Sequence, residues 1–491
     1  MTPRDENEMN QSKRHDAGST AAVRGPAPAP LPRPEPGAPR PYHFPVFERV
    51  TLENGLGVIV APVRALPMAT VMLVSDAGAS AEQGGQEGVA NLTARALLEG
   101  TKRRGTDVTE LFERLGASIG AGADWDVATV AMTALSPRLE EAMQLFGEVI
   151  LDPSFPEREL ERLKAERLAD ILQLTAEPRG LANEMFSRVL YEQSSRYARP
   201  EDGSASTVRS LGRSEVERFY RARYQPSVST LIVVGDVSLE DGVQLARKVL
   251  GEWKGSASES TPVTTAPART SRAVHIVPKA EAPQSELRMG HIGLPRSHPD
   301  YFPVLVMNSV LGGLFSSRIN LNLREVHAYT YGAFSGYAWR RGAGPFVVST
   351  AVKSDVTAES AREILLEIER MRTDTISEDE LSLATSYLGG VFPIRYETTD
   401  AIARALSALV AYRLPPDYFD SYRDKVRAVT KVDVLQAADR HLHPGELQLL
   451  VVGDPEVVRA PLEELGFGPV EMLPADIEES ELEAVEQDGG R

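Results

Sequence analysis

The amino-acid sequence predicts an α+β protein of two tandem homologous lobes, each a mostly antiparallel sheet covered on one side by helices. Three observations support this prediction. The second half of the chain repeats the first, helical and strand-like patterns follow one another in the same order in both halves, and 491 residues suffice for two large domains.

The internal repeat is clearest near the end of each half. The segment VERFYRARYQPSVSTLIVVGDV begins at Val216, and VLQAADRHLHPGELQLLVVGDP begins 218 residues later at Val434. Each holds a proline at the same position and a continuous apolar run that stops at Gly-Asp, which predicts a buried strand followed by a turn. Upstream, FPEREL at Phe155 parallels ISEDEL at Ile376, so the register is kept almost without gaps.

Apolar residues at helical spacing occur at matching places in both halves and predict helices that cover the sheets. They are Leu139, Ala142, Met143, Phe146, Val149 and Ile150 in the first half, and Ala361, Ile364, Leu365, Ile368 and Met371 in the second.

Shifts in composition divide the chain into five parts. Alternating prolines predict that residues 1–44 form a disordered, extended arm, and residues 255–272, which lack large apolar side chains, read as a linker. The lobes between these borders span residues 45–254 and 273–472. Residues 473–491 are acidic and are expected to form a solvated tail.

Charge and composition exclude several classes of function. A net charge of −17 disfavours nucleic acid and anionic membrane surfaces as partners, and the lack of cysteine excludes disulfides and thiolate chemistry. Neither a signal-peptide core nor a run of 18 apolar residues is visible, so no transmembrane helix is expected. This favours a soluble cytoplasmic protein, with the periplasm as the alternative.

Residues 87–101, EGVANLTARALLEGT, read as an apolar helix. They resemble a helix of the insulinase/pitrilysin family of zinc metallopeptidases, whose pattern is G-x-A-H-F-x-E-H-x-x-x-x-G-T and whose lobes are tandem α+β repeats that form half of a clamshell. Gly88, Ala90, Gly100 and Thr101 match this pattern.

The resemblance implies that this lobe carries a degenerate zinc motif. The family's two histidines bind zinc and its glutamate is the general base. Here those positions hold Asn91, Arg95 and Ala94, and the distal ligand falls on Asp170. Because residues 45–254 contain no histidine or cysteine, we expect this chain to bind no metal. Read without the family, Asn91 and Arg95 are ordinary polar helix residues.

A stretch of the second lobe, NSVLGGLFSSRINLNLREVHAYTYGAF, is similar to the family pattern L-G-G-x-x-S-S-R-L-x-x-x-L-R-E-x-x-G-x-x-Y. It departs at Ile319 and at Ala328, where the family has glycine. The matching residues are Gly312, Gly313, Ser316, Ser317, Arg318, Arg324, Glu325 and Tyr331.

The similarity implies catalytic and substrate-binding roles for Arg324 and Tyr331, and a substrate-binding role for the Gly312-Gly313 pair. A guanidinium can hold a peptide carbonyl, and a phenol can donate to an oxyanion. Taken alone, Arg324 would complement a helix dipole and Tyr331 would pack on a strand. His327, which lies between them, could touch substrate, but a loop histidine without a partner is more often solvated.

We assign no role to His441 and His443, which have period-2 spacing beside a Pro-Gly turn and for which we expect no acid partner.

Three functions remain open. The first is the non-metal subunit of a heterodimeric zinc peptidase, inactive alone, whose homologous H-x-x-E-H partner supplies zinc and the general base for a peptide or unfolded polypeptide substrate. The second is a catalytically silent peptide-binding or structural subunit, like the homologues in respiratory complexes and in the mitochondrial processing enzyme. The third, which we favour least, is an autonomous metallopeptidase with unconventional ligands.

Overall fold

The computed structural model describes residues 41–257 and 260–474. The strands of the first lobe form one six-stranded sheet in the order β1-β2-β6-β3-β5-β4, in which only β2 and β6 are parallel. They are β1 Glu48–Thr51, β2 Gly57–Pro62, β3 Met68–Ser75, β4 Ser118–Ala123, β5 Ala128–Leu135 and β6 Ser229–Gly235. Its helices are α1 Val89–Ala96, α2 Val108–Arg114, α3 Leu139–Leu151, α4 Glu157–Ala176, α5 Pro178–Leu190, α6 Ala205–Ser210, α7 Arg213–Arg223 and α8 Leu239–Leu250.

The second lobe has the sheet order β12-β7-β11-β8-β10-β9 and repeats five strands of this arrangement, but its edge strand β12 ends the lobe and pairs parallel with β7, whereas β1 begins the first lobe and pairs antiparallel with β2. Its strands are β7 Ala273–Pro278, β8 Gln284–Ile292, β9 Ala333–Tyr337, β10 Pro345–Lys353, β11 Gln448–Gly453 and β12 Val470–Met472. Its helices are α9 Tyr301–Asn308, α10 Arg318–Asn320, α11 Thr357–Thr373, α12 Glu378–Arg395, α13 Thr399–Ala411, α14 Tyr418–Ala428, α15 Lys431–His441 and α16 Pro455–Glu464. The predicted fold of two homologous α+β lobes is confirmed.

Helices cover both faces of each sheet, so the expectation of a one-sided cover is wrong. Helix α13 of the second lobe packs on β3 and β6 of the first sheet, and α5 of the first lobe packs on β8 and β11 of the second. Each lobe thus lends one helix to the other lobe's sheet. The two lobes share their cores through this exchange.

The exchange explains why the central strands are continuously apolar. Along β6, Val233 points into the core of the first lobe, whereas Ile232 and Val234 point into the core that contains α13. Along β11, Val451 and Leu450 divide between two cores in the same way. Strands buried on both faces have no reason to alternate, and each fully buried side chain contributes about 1.5–3 kcal/mol.

A loop of the second lobe, residues 338–344 between β9 and β10, docks on the first lobe. The guanidinium carbon of Arg340 lies 4.1 Å from the centre of the Trp125 ring. The backbone nitrogen of Arg341 donates to Asp126 Oδ2 at 3.0 Å, and the Arg341 side chain pairs with Asp76. Burial raises the pKa of Asp126 to about 6, whereas hydrogen bonds from Ser260 and Arg341 outweigh burial and lower the pKa of Asp76.

The predicted arm and tail lie largely outside the described residues. The described end of the predicted arm is packed against the protein, because Phe44 is buried and stacks on Phe419 with 4.3 Å between ring centres. Ring stacking of this kind fixes the chain before β1 on the second lobe. At the other border, the backbone nitrogen of Leu473 donates to Ile276 O at 2.8 Å.

The described part of the predicted linker is fastened to the first lobe. The nitrogen of Glu192 donates to Ala266 O at 3.0 Å, and the nitrogen of Ala268 donates to Leu190 O at 2.9 Å. These bonds form a short antiparallel pairing around Tyr191 and Pro267.

Among the described helices, one stretch, Tyr301–Val326, is long and apolar enough to cross a membrane by length and composition. It carries Arg318 and Arg324, and about half of its apolar part is buried inside the second lobe. We interpret it as the core helix of that lobe.

Candidate functional site

The candidate site is built on the helical stretch that follows α9. Two π-helical segments, Ser309–Gly313 and Leu321–Val326, flank α10, and the second carries Arg324. Tyr331 follows in the loop that leads into β9. Wide π-helical turns are rare and recur at functional sites, because the extra residue in the turn reorients the side chains it carries.

Buried polar contacts hold this stretch against β9. A Cβ atom on Gly312 would lie 2.3 Å from Ser335 Oγ and 2.6 Å from the Ser335 nitrogen, so only glycine allows this approach. Asn308 exchanges two hydrogen bonds with Ser335, at 2.8 and 3.1 Å. Asn320 Oδ1 accepts from the nitrogen of Ala333 at 3.0 Å. Gly312 is buried in this packing, whereas Gly313 is exposed.

Arg324 holds its guanidinium above an aromatic ring and makes no hydrogen bond within the described chain. Its guanidinium carbon lies 4.5 Å from the centre of the Phe315 ring. Its nearest acid is the neighbouring Glu325, with Nε 3.6 Å from Oε1, which is beyond hydrogen-bonding distance. The side chain is 34% exposed. The guanidinium is therefore positioned by stacking while its donors stay available to a ligand.

Tyr331 projects into solvent and is 93% exposed. The backbone on both sides of it is fixed, because Thr330 Oγ1 donates to Ala351 O at 2.7 Å and Gly332 precedes the paired strand β9. The phenol hydroxyl makes no hydrogen bond to any described residue.

The turn between these two residues is strained. Ala328, where the family has glycine, has a φ of +54°. This left-handed conformation costs a residue with a Cβ atom roughly 1–2 kcal/mol. Its neighbour His327 stacks on Tyr329, with ring centres 4.9 Å apart, and its Nε2 lies 3.7 Å from Glu363 Oε2. The expectation that His327 has no partner is wrong because its ring stacks on Tyr329, while the Glu363 carboxylate on α11 lies beyond hydrogen-bonding distance.

In the first lobe, Asn91, Ala94 and Arg95, which the sequence resemblance aligned with the family's zinc motif, lie on α1. Ala94 is fully buried and Asn91 is half-buried. Arg95 Nη2 donates to Glu166 Oε2 on α4 at 2.7 Å. Arg95, followed by the nearby Arg162, lowers the pKa of Glu166.

These residues do not fit a zinc ion. The carboxylate that lies against α1, Glu166, is already neutralised by a guanidinium, and an arginine cannot give up its proton to become a ligand. Asp170 is exposed and makes no contact with α1 among the described interactions. Sequence reasoning named Asp170 and missed Glu166, which lies one helical turn earlier on the same face of α4.

The first lobe also contains a cavity of about 450 Å³ between α4, α5 and α6. Leu168, Ile171 and Thr175 line it, together with Glu184, whose pKa is raised by burial. None of the residues predicted to be functional lines this cavity.

Two family models match the sequence. The model described as "Insulinase (Peptidase family M16)" matches residues 60–198, and the model described as "Peptidase M16 inactive domain" matches residues 210–388. This chain belongs to the insulinase (M16) peptidase family. The resemblance predicted from the two motifs is therefore confirmed, and the inactive-domain match includes Arg324 and Tyr331.

Individual M16 relatives extend the match over most of the chain. An uncharacterized zinc protease of Streptomyces coelicolor is 21% identical over 72% of this chain and 78% of its own length. A probable mitochondrial-processing peptidase subunit beta of Schizosaccharomyces pombe is 26% identical over 55% of this chain and 59% of its own length. Among solved structures, a peptidase M16 inactive domain from Pseudomonas fluorescens has a TM-score of 0.77 at 27% identity, covering 83% of this chain and 98% of that one.

Proposed function

We propose that this chain is the non-metal subunit of a heterodimeric zinc peptidase. It contributes Arg324 and Tyr331 to a peptide-binding site that a homologous H-x-x-E-H subunit completes. The match to the inactive-domain model supports this assignment at the level of the family. The yeast relative, which is named as a subunit, supports the expectation of a partner chain.

The observation that carries the proposal is that the Arg324 guanidinium and the Tyr331 hydroxyl make no hydrogen bond to the described residues, although the backbone around them is held in place. A guanidinium without a hydrogen-bonded acid and a tyrosine that is 93% exposed contribute little to the stability of the fold, and their donors stay accessible to another chain. Arginine and tyrosine are the residues most enriched at the centres of binding interfaces, where partner groups satisfy their donors.

Exposed apolar side chains on the helical stretch that carries Arg324 and on β9 extend this surface. Phe315 is 62% exposed, Val326 is 74% exposed and Phe334 is 50% exposed. Exposed apolar residues that accompany free donors are typical of surfaces that bind another chain. They would contact the side chains of an extended peptide or the facing lobe of the partner.

The first lobe supports a division of labour. Arg95, which the sequence resemblance aligns with a zinc ligand, is paired with Glu166, and Ala94, aligned with the general base, carries no proton acceptor. A partner must therefore supply both the zinc ion and the group that deprotonates the attacking water.

The roles of the two residues follow from their chemistry. The Arg324 guanidinium donates to a carbonyl oxygen of the bound peptide and fixes its register. The Tyr331 hydroxyl donates to the oxygen that becomes negative when water adds to the scissile carbonyl. Because that negative charge develops only as water adds, the Tyr331 hydrogen bond raises kcat. The Arg324 contact is already made in the bound substrate, so it also lowers KM.

The test is co-expression of this chain with an H-x-x-E-H homologue from the same genome, followed by purification and assay on unfolded peptides. We expect a 1:1 complex that cleaves peptides, whereas this chain alone does not. Arg324→Ala and Tyr331→Phe should leave the complex intact and abolish most of its activity. Arg362→Ala on α11 and Tyr387→Phe on α12 are matched exposed controls that should leave activity unchanged.

Two outcomes would contradict the proposal. Zinc-dependent cleavage by this chain alone would make it an autonomous peptidase. An active complex that is indifferent to Arg324→Ala and Tyr331→Phe would make it a structural or peptide-holding subunit.

A further inference from the structure

Two histidines and an aspartate meet at the start of the core helix of the second lobe. His298 and Asp300 lie in the turn before α9, and His441 is the last residue of α15. His441 Nε2 lies 2.7 Å from Asp300 Oδ2, and one possible ligand atom from each of the three residues lies within 4.8 Å of the others. The sequence-based view that His441 has no acid nearby is wrong, because Asp300 precedes it by 141 residues.

The backbone that carries the three side chains is well fixed. The nitrogen of His298 donates to Pro295 O at 3.0 Å, and the nitrogen of Val304 donates to Asp300 O at 3.0 Å. Helices α9 and α15 pack directly against each other. A site that spans two packed helices needs only side-chain rotation to form, not a movement of the fold.

A second pair of histidines lies beside this cluster. The rings of His291 and His443 are 5.0 Å apart, and the backbone nitrogen of His443 donates to His291 Nε2 at 3.2 Å. Four of the eight histidines of the chain therefore gather in one place, whereas the first lobe has none.

We propose that His298, Asp300 and His441 bind a divalent transition-metal ion, with zinc as the best match. Two imidazole nitrogens and one carboxylate oxygen form a donor set that zinc accepts, with water as the fourth ligand. All three side chains are partly exposed, so water and metal can reach them.

The geometry requires a small adjustment. Ligand atoms about 2.0–2.1 Å from a tetrahedral zinc ion lie roughly 3.4 Å apart. The hydrogen bond between His441 and Asp300 must lengthen, and the more distant atoms of the cluster must approach. Both changes are within the range of side-chain rotation.

Arg440 is the main competitor for Asp300. Its Nη1 lies 2.9 Å from Asp300 Oδ2, but the side chain is 52% exposed. A guanidinium at this position can move into solvent, or it can stay as the outer hydrogen-bond partner that orients a metal-bound carboxylate. The proposal does not depend on the peptidase function, because none of these residues belongs to the Arg324 and Tyr331 site.

The test uses the full chain, stripped of metal with a chelator and titrated with zinc chloride in a calorimeter. We expect one zinc ion per chain with a Kd below about 10 µM, and a rise in Tm on zinc addition that follows from preferential binding to the folded state. His298→Gln and His441→Gln should each weaken binding by about tenfold or more, while circular dichroism verifies the fold. His443→Gln is the matched control, since its ring lies next to the cluster but outside it, and should bind zinc as the parent chain does.

A cobalt-substituted sample gives a second readout, because its visible absorption reports ligand number and type. Bands of a four-coordinate nitrogen and oxygen site that vanish in His441→Gln would support the site. The proposal is overturned if no zinc binds at about 100 µM, which is ten times the expected Kd, or if both histidine variants bind as the parent does.

Discussion

The two lobes share the order of five strands in their sheets but hold one arginine each, Arg95 and Arg324, in opposite ways. In the first lobe, Arg95 on α1 is paired at 2.7 Å with Glu166 of α4. In the second lobe, Arg324 rests on Phe315 with no hydrogen-bonded acid in the described chain. An arginine that its own chain neutralises supports the fold, whereas one left with free donors is available to another molecule. Under the proposed function, the first lobe is the closed half of the site and the second lobe is the open half.

The largest expected effect tests whether α1 of the first lobe is packed too tightly at position 94 to accept a carboxylate. Ala94→Glu, at the position that the sequence resemblance aligns with the family's general base, should lower the free energy of unfolding by about 3 kcal/mol or more, because Ala94 is fully buried and the new carboxylate would have no partner. Urea denaturation measures this. Ala169→Glu, at an exposed position of α4, is the control and should change stability little. If both variants are equally stable, the position on α1 is open and the comparison fails.

The frame of the open site gives the next largest effect. Gly312→Ala should destabilise the protein by about 2 kcal/mol, because the added methyl group would overlap Ser335. Gly336→Ala is matched to it, since a Cβ atom there meets nothing within 4 Å, and should be close to neutral. Thermal unfolding of the two variants compares them directly. Equal Tm values would show that the π-helical segment is not held tightly against β9.

The strained turn predicts a gain in stability. Ala328→Gly should raise the free energy of unfolding by about 0.5–1 kcal/mol, because glycine adopts the positive φ of this position without a steric penalty. Denaturant midpoints are sensitive enough to detect this change. A loss of stability instead would mean that the turn is not strained in solution.

The two arginines themselves give the smallest effects. Arg95→Ala should cost at most about 1 kcal/mol, and the loss should shrink at high salt, because the ion pair with Glu166 is substantially exposed. Arg324→Ala should change stability by less than about 0.5 kcal/mol at any salt concentration. Unfolding curves at low and high sodium chloride distinguish the two. A salt-sensitive loss at Arg324 would show that its 3.6 Å contact with Glu325 stabilises the fold, and would remove the contrast.

Much of the fold could be predicted from the sequence because the evidence was local or periodic. The runs that became β6 and β11 are contiguous, and the repeat fixed their equivalence. The exchange of α5 and α13 could not be predicted, because it depends on packing between segments that are far apart in the chain. Phe44 was assigned to the arm for the same reason, since its partner Phe419 lies in the other half.

The candidate site was predicted to a similar extent. The motif located Arg324 and Tyr331, but neither the π-helical turns nor the exposure of Tyr331 leaves a pattern in a single sequence. Glu166 and Asp170 are both acidic residues one turn apart on α4, so spacing alone could not decide which one faces α1. Only the crossing of α1 and α4 makes that choice.

The central claim is that Arg324 and Tyr331 act on a peptide that is bound between this chain and an H-x-x-E-H partner subunit. The most direct measurement is the kcat of peptide cleavage by the co-purified complex with Tyr331→Phe, which removes one hydroxyl and leaves the ring and the complex in place. The account predicts a drop of about 10²-fold or more, as for the loss of one oxyanion donor. An unchanged kcat in an intact complex would contradict it.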